Sequence, residues 1–72
     1  MVGMDEKKTA FRLAYNALNA HPNPEYTSEY FRRVCGEFGE ISAGAKGNRL
    51  LPFLLSAIYD YLTMEAKEAA KP

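Results

Sequence analysis

The chain has 72 residues, enough for one domain spanning 1–72, and its nine Lys and Arg balance nine Asp and Glu. Cys35 is the only cysteine and His21 the only histidine, which excludes an internal disulfide and a four-ligand structural zinc site; no cofactor is expected. Balanced charge argues against a chain that works mainly by gripping phosphate, and the longest apolar run, Leu50 to Leu55, falls far short of the roughly 20 residues that span a bilayer.

The first periodic segment runs from about residue 5 to 20, with Asp5 or Thr9 as its cap. Phe11, Ala14, Tyr15 and Leu18 recur at helical spacing and predict the inward face, widened by Ala10, Leu13 and Ala17. Arg12, Asn16 and Asn19 form the wet side. His21-Pro22-Asn23-Pro24 ends the helix, because each proline disfavours the α conformation in the residue before it.

The second helix is predicted over about 28–42. With Thr27 as the cap, Tyr26 and Phe31 have the spacing of a hydrophobic staple. Phe31, Val34, Cys35, Phe38 and Ile41 make the apolar stripe, and Glu29, Arg33 and Glu37, four apart, neutralise the outer face. Gly36 and Gly39 weaken the helix. Ala43 to Gly47 reads as a flexible loop.

Asn48 is a good cap for a third helix over about 49–69, with Pro52 tolerated in its first turn. Leu51, Leu54, Leu55, Ile58 and Leu62 make one stripe, and Phe53, Ala57, Tyr61 and Met64 a second beside it. Only Ser56, Asp60, Thr63 and Lys67 define a polar face. The apolar arc is roughly 240° wide, about twice that of an ordinary surface helix. The third helix must therefore lie central and deep, or its second stripe is left exposed as a binding surface.

The expected fold is all-α, a small three-helix bundle with residues 1–4 and 70–72 frayed. No strand is expected, since alternation is absent. Met1 to Lys8 lacks the apolar core of a signal peptide, and one free thiol fits a reducing compartment, so a cytoplasmic location is expected.

Chemistry-bearing residues are sparse. His21 reads as a solvated loop histidine and Cys35 as a buried, inert core thiol. Gly44 to Arg49 precedes a helix N-terminus and could attract a phosphate, but it lacks the P-loop pattern and reads as a linker. Arg32, Arg33, Lys46 and Arg49 would form a nucleic-acid footprint if the loop folded back on the second helix. No convergent acid, base and nucleophile appear, so no enzyme is expected. The leading expectation is a non-enzymatic protein-interaction module that self-associates, most simply as a dimer, through Phe53, Ala57, Tyr61 and Met64. A small helical nucleic-acid-binding regulator is the alternative.

Overall fold

Asn48 sets the position of the C-terminal helix: its Oδ1 accepts from the backbone N–H of Leu50 and Leu51 at 3.1 and 3.0 Å, and its Nδ2 donates to the Glu6 carbonyl at 2.9 Å. The side chain thus holds the backbone just ahead of one helix while tying it to another; the helix itself starts at Leu51, two residues later than expected, so that Leu50 rather than Asn48 occupies the N-cap position and offers no side-chain bond. The computed structural model describes residues 2–71, with side chains from Asp5 onward. It contains α1 (Val2–Asn19), α2 (Ser28–Gly44) and α3 (Leu51–Ala70), and no strand among the described residues. The chain is an all-α three-helix bundle.

α1 begins at Val2, so Asp5 and Thr9 lie inside the helix and neither caps it. The fraying expected at 1–4 and 70–72 falls in part on Met1 and Pro72, outside the described residues; Val2–Met4 and Ala70 are helical. α2 starts as its cap dictates, with the Thr27 hydroxyl accepting from the Tyr30 N–H at 3.1 Å. It continues two residues past the predicted end, to Gly44. The loop then turns through Gly47, whose φ of 88° favours glycine.

The helices run up, down, up. Glu6 meets Asn48 and Arg49, so the N-terminal ends of α1 and α3 lie together. Thr27 and Thr63 line one groove, and Ser42 and Pro52 another, so α2 runs antiparallel to α3. α3 is the hub: it packs on both other helices, most extensively on α1.

The core joins Ala10 and Ala17 of α1, Tyr30, Val34 and Phe38 of α2, and Leu51, Leu55 and Leu62 of α3. α3 keeps its predicted inner stripe, with Leu54 and Ile58 half-buried. α1 does not. Ala10, Ala14 and Ala17 are buried, whereas Phe11 and Tyr15, assigned to the inner face, are exposed. A stripe of alanines lets two helix backbones approach closely, and the leucines of α3 fill that space. The rings of α1 lie on the adjoining stripe and turn outward. α2 is likewise rotated from expectation. Tyr30, Val34 and Phe38, at spacing four, point inward, and Cys35 is exposed rather than buried.

The Cα atoms span 50 × 17 × 16 Å, with a radius of gyration of 13.1 Å against about 11 Å for an equally long globule. An elongated bundle has a larger surface for its core, which leaves apolar side chains uncovered.

Candidate functional site

The second stripe of α3 is uncovered. Phe53 is 74% exposed, Tyr61 and Met64 each 47%, and Ala57 is exposed beside them. α1 extends this surface with Phe11 at 60% and Tyr15 at 65%. Between the two helices lies a groove of about 330 Å³, floored by Ala14, Leu18, Leu54 and Ile58 and walled by Phe11, Tyr15, Ala57 and Tyr61. The only polar contact within the patch is at its edge, where the Tyr61 hydroxyl donates to Glu65 at 3.4 Å. Exposed rings around a groove of this kind give little to water and much to a complementary surface.

On α3 the exposed residues are those of the second stripe, whereas on α1 Phe11 and Tyr15, expected to face inward, are exposed. Phe11 and Tyr15 were visible as apolar, but periodicity alone does not tell an inward ring from an outward one. The alanines at 10, 14 and 17 carry the missing signal, because close-packed helices favour the small stripe.

His21 corrects the sequence expectation more sharply. It is buried, and both ring nitrogens are engaged: Nε2 lies 2.8 Å from Glu37 Oε1 and Nδ1 lies 2.7 Å from the Tyr30 hydroxyl. An ionised carboxylate can only accept, so Nε2 carries a proton. In the neutral imidazole, the Tyr30 hydroxyl then donates to Nδ1. The ring also stands edge-on to Tyr30 and Phe38, with centroids 5.4 and 6.2 Å apart. Burial pushes the Tyr30 hydroxyl pKa up from its usual range. The array clamps the proline loop to α2. Neither nitrogen can meet a substrate without giving up one of these bonds.

Cys35 lies mid-way along the seam between α2 and α3. Two adjoining openings, about 600 and 340 Å³, share Cys35 and Tyr59 as lining residues. Desolvation, followed by the nearby Cys35 thiol, raises the Tyr59 pKa.

The four basic residues are not brought together. Arg32 and Arg33 occupy the first half of α2, with Arg33 over the Tyr30 ring at 5.4 Å. Lys46 and Arg49 lie beyond its far end, and the 11 helical steps from Arg33 to Gly44 alone hold them roughly 16 Å apart along the axis. Arg49 is also engaged: Nε and one terminal nitrogen donate to the two Glu6 carboxylate oxygens, each at 3.2 Å, and its backbone N–H donates to Oε1 at 2.7 Å. Glu6 therefore fills the anion position at the start of α3 from within the chain. The Arg49 side-chain bond, then its backbone bond, lowers the Glu6 pKa.

Among the described residues no group of three or more His, Cys, Asp and Glu could hold a metal ion, and no helix is long and apolar enough to cross a membrane. Compared with protein families, curated proteins and solved structures, the chain has no match.

Proposed function

We propose that this protein is a non-enzymatic interaction module that self-associates through the outer stripe of α3. The observation that carries the reading is the uncovered row Phe53, Ala57, Tyr61 and Met64 on the helix that also organises the core. A short, elongated bundle has little core to spare, and leaving three large apolar side chains in water forgoes stabilisation of about 1 kcal/mol or more each. A partner surface recovers it. Placing the row on the central helix gives the contact a rigid base, so association requires no remodelling of the fold.

Light scattering coupled to size exclusion tests this at micromolar protein. The expected result is a dimer mass that Phe53→Asp converts to a monomer mass. A clean monomer, with elution unmoved by Phe53→Asp, removes the proposal. Because Phe53 is exposed, the substitution leaves the bundle folded, which circular dichroism verifies.

A further inference from the structure

The exposed face carries opposite charges at its two ends. At 100° per residue, Lys8, Phe11 and Tyr15 fall on one stripe of α1. Phe53, Ala57, Met64 and Glu68 fall on one stripe of α3 by the same count. Lys8 and Glu68 are both exposed. Since α1 and α3 run parallel, Lys8 closes one end of the face and Glu68 the other. Ala57, the smallest side chain of the α3 stripe, lies between them.

A surface with a cation at one end, an anion at the other and rings between is complementary to itself turned end over end. We infer that, granted the self-association proposed above, two copies pair antiparallel across a composite α1–α3 face. The twofold axis passes near Ala57, and Lys8 of each copy approaches Glu68 of the partner subunit. Parallel pairing would instead set lysine beside lysine and glutamate beside glutamate. Ala57 permits close approach of the two α3 helices at their crossing, while Phe53 and Phe11 reach toward the partner's groove.

Area supports a second copy as the occupant. At about 200 Å² for a fully exposed large side chain, the uncovered parts of Phe11, Tyr15, Phe53, Tyr61 and Met64 come to roughly 600 Å². Two such faces bury roughly 1,200 Å², the lower bound of a specific interface. The α3 stripe alone supplies only about half of that. The α1 rings are what bring the face into range.

Two experiments test the geometry separately from self-association. Lys8→Glu or Glu68→Lys alone should weaken the dimer roughly threefold to tenfold, and the two together should restore it. In a Cys35→Ser background, mild oxidation should trap Ala57→Cys as a disulfide dimer much faster than Asp60→Cys, which leaves every apolar side chain of the face in place. The antiparallel arrangement places the two copies of position 60 about 9 Å further apart along the axis than those of position 57. Suppose the unmodified protein is dimeric, yet Asp60→Cys traps as fast as Ala57→Cys or the charge exchange fails to restore pairing. That outcome overturns the antiparallel geometry and leaves self-association standing. A monomer at every concentration overturns both.

Discussion

The Tyr30 hydroxyl lies 2.7 Å from Nδ1 of His21, with both side chains buried. That contact joins a residue from the proline loop to the inward face of α2. It also explains how a histidine next to Pro22 comes to be buried. Glu37, the residue just before Phe38 at the end of the Tyr30–Val34–Phe38 row, holds the other nitrogen at 2.8 Å.

Removing the imidazole strands the Tyr30 hydroxyl. His21→Ala should cost about 1–3 kcal/mol, the penalty for a buried polar group without a partner, measured as a shift in the urea midpoint. Tyr30→Phe should cost less, since an aromatic ring remains to pack. The double variant should cost clearly less than the sum of the two. Strict additivity would show that the contact contributes nothing.

Glu6 gives a pH dependence with a definite sign. Its pKa lies below the ordinary value of 4.5 because Arg49 donates to the ionised form. A depressed carboxylate contributes stability that is present above its unfolded pKa and lost as pH falls through its folded value. Thermal unfolding should therefore show wild type more stable than Glu6→Gln at pH 7. The gap should close on acidification below the normal glutamate range. Tyr30 acts at the other extreme, with the opposite arithmetic. Its raised pKa makes a contribution that is complete below pH 10 and lost as pH rises through the folded value.

Asn48 makes three hydrogen bonds at the start of α3. Asn48→Ala removes the acceptor for the Leu50 and Leu51 N–H groups and the tie to α1 together, for an expected loss of about 1–2 kcal/mol. Asn48→Asp keeps the acceptor and loses the donor to the Glu6 carbonyl, so it should recover part of that loss. Chemical denaturation ranks the three proteins. Equal stability of the alanine and wild-type chains would contradict this anchoring role.

Gly36 and Gly39 lie inside α2 with no atom beyond their own stretch of helix backbone within 4 Å of where a Cβ would sit, and neither has positive φ. Alanine at either position should raise stability by up to about 1 kcal/mol through helix propensity alone. Gly47→Ala should do the reverse, because its φ of 88° is strained for any side chain although the space is open.

The three helices were legible because each carries its own period and its own punctuation: Pro22 and Pro24, Thr27, Gly44, Asn48. The α3 stripes were legible because leucines and rings separate by angle. Rotation was not legible where two apolar stripes adjoin. On α1, the ring-bearing stripe carries more hydrophobic surface, but the alanine stripe allows the closer backbone approach and takes the core. On α2, the pattern Phe31–Cys35 competes with Tyr30–Val34–Phe38, and burying Tyr30 requires a polar partner. That partner is His21, whose own burial depends on Tyr30. Single-residue reading sends His21 to solvent and leaves Tyr30 off the predicted stripe of α2, and only their pairing accounts for the burial of both.

Cys35 offers a direct reading of that rotation. If α2 turned the Cys35 stripe inward, the thiol would be shielded and would react with a thiol reagent only through unfolding. With Tyr30, Val34 and Phe38 inward, Cys35 stands exposed on the α2–α3 seam beside Tyr59. A chromogenic disulfide reagent added to the native protein should therefore modify it within minutes, at a rate comparable to that in denaturant. Labelling at that rate should leave the circular dichroism spectrum unchanged, since the seam can accept the adduct without opening the core. Slow labelling that tracks global unfolding would mean that α2 presents Cys35 to the core after all, and the Tyr30–His21 contact would have to be abandoned with it.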